Sequence, residues 1–540
     1  MSQDSVGHPL LAGLDEQQRE AAQALRGPVG ILAGAGSGKT RTISHRIAYG
    51  IDRGVFAANR ILALTYTNRA ASELRSRLRS LGVTEVAVRT FHSAALGQLQ
   101  FFWPQLTGGL PPKLLTNKLP ALREVLGELR LELRDEELRE LAAEIELVSY
   151  SLVSPGQYLE RERGVIAGFS PERFVTVLEA YSNYKQQKRL ADWEDVLTLT
   201  LGLLRSEDRM LEHVQQQYRF FTVDEYQDIS PLQQALLETW LGEREDVCVV
   251  GDPRQAIYGF AGADAGFLTG FGSRYPNAEI FELNRNYRST SEIVASANSV
   301  ASTRNLEPVR GELTSPVVIE AASASAEAKR IASGIAKSLA EGWAPSDIAV
   351  LSRINSQLEP IERELGTLGI SVQVRGAGRF FRIPEVQKAM LAIRALQIST
   401  QPQPLFMLLS EILSQLGWSS QESKSEKWRN LNWFMEIFDE LGSPSLDEFV
   451  RELGERERSG DEPIREAITL ATVHATKGLE WRAVYLCGLN QGWFPISHAK
   501  TEAQLAEERR LFYVAITRAC DQLTMSYISD RERSSFLKLL

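Results

Sequence analysis

Eight consecutive residues, Ala33, Gly34, Ala35, Gly36, Ser37, Gly38, Lys39 and Thr40, have the types and spacing of a phosphate cradle. They follow the apolar run VGILA (29–33) and precede a helical pattern from Lys39 to Ala48, the strand, loop and helix order that such a cradle requires. Glycines let backbone amides face an oxyanion, and the helix N-terminus adds positive potential. Lys39 can then reach the β and γ oxygens of a nucleotide, and the Thr40 hydroxyl can hold magnesium. A strict loop of this kind has glycine where Ala33 stands, but the GSGKT core is intact.

A second chemical element is Val223-Asp224-Glu225-Tyr226-Gln227-Asp228, closing the apolar run FFTV. One carboxylate there can hold the metal through water while its neighbour orients and deprotonates an attacking water, which assigns Asp224 to the metal and Glu225 to the base. Alone, this would read as an acidic turn after a strand. Together with the cradle it reads as nucleotide hydrolysis.

These groups need a scaffold, and the apolar runs supply one. Besides VGILA, runs occur at ILALTY (61–66), FFTVD (220–224), VCVVGD (247–252), DIAVLS (347–352) and AVYLCGL (483–489), with helical patterns between them. Strands alternating with helices imply parallel sheets, and two such sets imply two α/β domains. Between about 112 and 193 the pattern turns helical, with no strand signal. A second helical island, of three helices, is expected at 398–464. The expected division is 1–111 with 194–282 as one α/β domain, 112–193 as its helical insertion, 283–397 with 465–540 as the other, and 398–464 as the second insertion.

The bulk properties agree. A chain of 540 residues suggests about three or four domains, and 43% hydrophobic with 24% charged residues is ordinary for a globular protein. No apolar stretch is long enough for a membrane span and no leader pattern opens the chain, so a cytoplasmic location is expected. Cys248, Cys487 and Cys520 form no CxxC pair and read as plain buried thiols. A net charge of −9 argues only weakly against a phosphate-binding protein, because a local basic and aromatic groove can hold phosphates without a globally basic surface.

Several further motifs, in order, resemble superfamily 1 helicases of the UvrD/Rep/PcrA branch: LDEQQREAA (14–22), ILALTYTNRAASELRSRL (61–78), VRTFHSAAL (88–96), VDEYQD, VVGDPRQAIYGFAGA (249–263), LNRNYRSTSEIVASAN (283–298), TLATVHATKGLEW (469–481) and EERRLFYVAITRA (507–519). The resemblance spans roughly residues 14 to 540. It implies two RecA-like parallel-sheet domains of the P-loop NTPase fold, each with a helical insertion, and ATP with Mg2+ as the cofactors. It also implies 3′-to-5′ travel on single-stranded DNA and separation of partial duplexes.

Carried over by motif, the resemblance makes Gln18 the adenine reader, and has Tyr287 and Arg41 sandwich the adenine. Gln255 becomes the γ-phosphate sensor, Arg288 and Arg518 the charge-stabilising fingers, and Glu480 a further nucleotide contact. Arg509 and Arg510 stay open between function and solvated charge. Single-strand contacts are expected from Tyr66, Phe91, His92, Tyr258, Phe260, Thr472 and His474, since base stacking on aromatics is how such proteins grip without sequence preference. Two departures stand out. The family commonly has tryptophan then arginine where Phe260 and Ala261 stand, and the 398–464 island is much shorter than its counterpart.

Three roles compete: an autonomous repair or replication helicase, a helicase subunit working with a separate nuclease or repair protein, as in phage-defence systems of the Gabija type, and a translocase that never unwinds. The short island, and a chain that ends 22 residues after Arg518 without room for a fused nuclease, favour the second slightly.

Overall fold

The computed structural model describes residues 7–540 except 116, 161–163, 303–305, 376–379, 399–402, 424, 460–461 and 464–465. Two compact units result: Met1–Tyr287 with Asn305–Glu307, and Arg288–Arg304 with Pro308–Leu540. In the first, β1 (Val29–Ala33), β2 (Ile61–Thr65), β3 (Ala87–Thr90), β4 (Phe220–Val223), β5 (Val247–Gly251) and β6 (Glu279–Leu283) form one parallel sheet in the order β3-β2-β4-β5-β1-β6. Alternate side chains go to opposite faces. Val29, Ile31, Ile61, Ala63, Cys248 and Val250 enter one core, with the helices Lys39–Asp52 and Asn68–Ser80. Leu62, Leu64, Phe221, Val223, Val247 and Val249 enter another, with Phe91–Thr107, Trp193–Ser206 and Pro231–Leu241. Burial on both faces is why these strands read as unbroken apolar runs.

The first insertion is a helical subdomain with its own core, built from Leu122, Leu141, Phe174 and Tyr181 among others. It is not wholly free of strand. Lys113–Leu114 and Leu190–Ala191 pair in parallel where the chain leaves and re-enters, two residues being too few to show a period. At this seam Lys118 Nζ meets Glu194 at 2.7 Å and Glu146 at 2.9 Å, and Lys185 Nζ meets Asp192 at 2.7 Å and Asp195 at 2.6 Å.

In the second unit β7 (Val317–Ala321), β8 (Ile348–Ser352), β9 (Val372–Arg375), β10 (Ile468–Thr472), β11 (Trp481–Leu486) and β12 (Ala519–Ile528) form a parallel sheet in the order β7-β12-β11-β8-β10-β9. The helices Ala324–Ala340 and Glu359–Thr367 cover one face. The island holds the expected three helices, Leu405–Gln415, Glu426–Leu441 and Leu446–Ser459, but its core also takes Phe380, Phe381 and the helix Pro384–Ala395.

Cys248 and Cys487 are buried free thiols, whereas Cys520 is only half-buried. Among the described residues, no cluster of His, Cys, Asp or Glu could hold a metal by itself, and no helix is long and apolar enough to cross a membrane.

Candidate active site and nucleic-acid interface

The cradle forms at the carboxyl edge of β1. Gly38, the N-cap of the helix Lys39–Asp52, has φ 81°, and a Cβ there would lie 2.8 Å from Gln18 Nε2. At Gly34 an added Cβ would lie 2.3 Å from Leu306 and 3.0 Å from Arg254. A side chain at either position would have to displace these neighbours, and at Gly38 it would also strain the left-handed backbone. Three clamps fix the loop from outside: Gln18 Nε2 donates to the Ser37 carbonyl at 2.9 Å, Asn286 Nδ2 to that of Ala35 at 2.7 Å, and Tyr287 N–H to that of Gly36 at 2.9 Å. The last two explain why residues 284–287 stay with the first unit beyond the end of β6. Gly36, Gly38, Lys39 and Thr40 remain partly exposed, while Ala33, Gly34, Ala35 and Ser37 are buried beneath them.

Across the cradle, at the carboxyl edge of β4, Glu225 Oε1 lies 3.9 Å from Lys39 Nζ. Glu225 has φ 53° and ψ 42°, a left-handed backbone that costs a non-glycine residue about 1–2 kcal/mol, and such strain concentrates at functional sites. Asp224 is buried and accepts the Glu225 N–H at 2.9 Å. Burial, and after it the Glu225 charge, push the Asp224 carboxyl above its ordinary range, with Lys39 opposing. Two carboxylates against one ammonium suit an added divalent cation. Thr40 and Asp224 as metal donors, with Glu225 beside them and a glycine-rich cradle, therefore fit a magnesium-bound nucleoside triphosphate.

The purine end is less open. Gln18 spends its donor on Ser37 and its acceptor on the Asp15 N–H at 3.3 Å, so it braces the loop. Tyr287 is exposed and its hydroxyl donates to Asp15, while Arg41 donates to the Gly13 carbonyl at 2.6 Å. In the second unit Arg288 pairs with Glu480 and donates to the Thr517 carbonyl at 3.2 Å. Arg518 is only 1% exposed, with Nε on the Val514 carbonyl at 3.1 Å and one terminal nitrogen on that of Leu479 at 2.9 Å. Arg509 ties its own helix to the Val300 carbonyl at 2.5 Å, a structural role.

Beside the hydrolytic edge stands an aromatic platform. Tyr66, after β2, stacks on Tyr258 at 5.1 Å and 18°, and Phe260 follows at 6.2 Å, itself 61% exposed. Exposed rings of this kind suit base stacking. Phe91 differs: it stacks on Trp240 at 6.0 Å inside the core and presents no face to a base. His92 is buried, its Nε2 hydrogen-bonded to the Tyr150 hydroxyl at 3.0 Å. In the second unit Thr472 and His474 sit at the carboxyl edge of β10, where burial and then Arg353 hold the His474 imidazole down to about 4. It is neutral near pH 7 and offers a hydrogen bond, not a charge.

Phe260→Ala is expected to weaken single-stranded DNA binding by about 1–3 kcal/mol, the usual range for one stacked base. Fluorescence anisotropy with a dT oligonucleotide measures this, and an unchanged affinity returns Phe260 to a packing role.

Gln227, Asp252 and Asn286 escaped selection from the sequence as site residues, although each lies inside a quoted motif. Their amide and carboxylate contacts organise the site from beneath, and no spacing rule marks such contacts.

A phosphate cradle facing a Lys39–Glu225 pair, on one of two RecA-like sheets, defines a P-loop NTPase. Residues 14–276 match the UvrD/REP helicase N-terminal domain, and residues 281–421 and 399–530 match the UvrD-like helicase C-terminal domain. The chain belongs to the UvrD/REP helicase family. It is 39% identical over 561 residues to the ATP-dependent DNA helicase UvrD2 of Mycobacterium tuberculosis (strain ATCC 25618 / H37Rv), covering 97% of this chain and 80% of that protein. Identity to the ATP-dependent DNA helicase PcrA is 29% over 627 residues for Leuconostoc citreum, covering 97% and 83%. For the PcrA of Bacillus subtilis (strain 168) it is 27% over 624 residues, covering 96% and 83%.

Proposed function

We propose that this chain is an ATP-dependent DNA helicase that travels 3′ to 5′ on a single strand and separates the duplex ahead of it, in DNA repair or replication in the cytoplasm. The observation that carries this reading is the opposition of Lys39 and Glu225 at 3.9 Å beside Asp224, with the Tyr66, Tyr258 and Phe260 platform on the same unit. Lys39 holds the terminal phosphates, Thr40 and Asp224 hold magnesium, Glu225 takes the proton of the attacking water, and Gln255 senses the γ-phosphate. Held by Thr40 and Asp224, magnesium would supply positive charge against the developing phosphate charge. Arg288 and Arg518 then stabilise that charge from the second unit, which requires both to leave the carbonyl and carboxylate partners they hold here. Glu480 releases Arg288 and contacts the nucleotide itself, Tyr287 and Arg41 flank the adenine, and Gln18 reads it.

Thr472 and His474 add strand contacts from the second unit. Opening and closing around each ATP alters the grip on DNA and so drives travel. The test is incubation with ATP, magnesium and duplexes tailed at the 3′ or the 5′ end. Unwinding of the 3′-tailed substrate alone is expected. Unwinding of the 5′-tailed one reverses the direction, and DNA-stimulated hydrolysis without unwinding of either leaves a translocase.

A further inference from the structure

The Gln227 carboxamide is fully buried and held at both ends. Its Oε1 accepts the Asp252 N–H at 3.0 Å, which fixes the orientation of the amide. Its Nε2 therefore faces two carboxylates, donating to Glu225 Oε2 and, at 3.1 Å, to Asp228 Oδ2. Asp252 extends the chain of contacts, accepting from Gln255 Nε2 at 2.9 Å on one oxygen and from Arg254 Nε at 2.8 Å on the other. There is no slack: a Cβ on Gly251 would lie 2.2 Å from Gln227 Oε1.

These contacts join Glu225 to the segment 252–255, and the same backbone continues into Tyr258 and Phe260. Ala261 supplies no cation to link that loop to the hydrolytic edge, whereas the neutral, buried Gln227 amide connects Glu225 to the segment that leads into it. Catalytic groups lose rate steeply when misplaced by about 1 Å. The geometry points to Gln227 as a positioning residue that aims the Glu225 carboxylate at the cradle and ties that aim to the aromatic loop, so that a strand stacked on Tyr258 and Phe260 sets the hydrolysis rate. This rests on the reading of Glu225 as the base.

The test uses the full chain carrying Gln227→Glu, which keeps an acceptor for the Asp252 N–H but loses the donor, and Gln227→Met, which keeps the length alone. ATPase rates are measured with and without a dT oligonucleotide, alongside affinity for a fluorescent ATP analogue. In both variants the DNA-stimulated kcat should fall about 10- to 100-fold and the ratio of stimulated to basal rate should collapse toward one, with KM and analogue affinity within about threefold of the parent. A stimulated kcat within about twofold of the parent overturns the inference, as does an equal fall in basal and stimulated rates. A loss of analogue affinity matching the loss of rate also overturns it, by making Gln227 structural. Glu225→Gln run in parallel separates the two layers: turnover in that variant removes the base itself, whereas a silent Glu225→Gln beside fully stimulated Gln227 variants removes only the coupling.

Discussion

Glu225→Gln should lower ATP turnover by about 10²–10⁴-fold, the range a positioned general base supplies. The substitution keeps side-chain length and the capacity to accept from Gln227, but an amide cannot take the proton of water. Asp224, Lys39 and the cradle are untouched, so ATP affinity should survive and single-stranded DNA binding without nucleotide should be unchanged. Lys39→Ala provides the contrast, since it removes the ammonium group that faces Glu225 and should lose nucleotide affinity along with turnover. Single-turnover hydrolysis with a filter-binding measurement of DNA affinity decides the matter. Appreciable turnover in Glu225→Gln would mean that another group activates the water.

The second large effect is on stability, at the seam between the helical insertion and the first sheet. Lys118 and Glu194 are almost wholly buried and meet at 2.7 Å. Removing one member of a buried pair leaves the other charged in a poorly solvating place, which typically costs about 3–5 kcal/mol. Lys118→Met is therefore expected to destabilise by that amount, with Glu194 left to Asp192, Asp195 and Glu146 as neighbours of its own sign. The double change Lys118→Met with Glu194→Gln should recover part of the loss, because it removes both charges together. Urea unfolding reads the difference. A loss below about 1 kcal/mol for Lys118→Met would show that water reaches the Glu194 carboxylate there.

The sheets were legible where burial on both faces produced apolar runs, as at 29–33, 61–65, 220–223 and 247–251. Strands with a polar or exposed side were missed. Glu279–Leu283 and Val317–Ala321 are largely exposed edge strands, and Val372–Arg375 alternates half-buried with buried positions in an arginine-ended run. The phosphate site was legible because the constraints on it are local: glycines, one lysine and two acids in fixed order. The nucleic-acid platform was only partly so, since Phe91 and Phe260 are both aromatics near strand ends and only folding decides that one packs on Trp240 while the other faces solvent. Likewise nothing in AITRA announces that Arg518 spends its guanidinium on the carbonyls of Val514 and Leu479. Those partners lie 4 and 39 residues away and are chosen by the packing of the second unit.

The strand that carries the cradle is flanked in its sheet by β5 and β6, which arrive from residues 247–251 and 279–283, while β1 itself ends at Ala33. On a ribosome adding about 5–20 residues each second, the VGILA segment therefore waits roughly ten seconds to a minute for its two hydrogen-bonding neighbours. During that interval five apolar residues have no ladder to join, and the nascent polypeptide carries an adhesive segment. The catalytic loop therefore matures well after it is made, once the two strands that flank β1 have followed it.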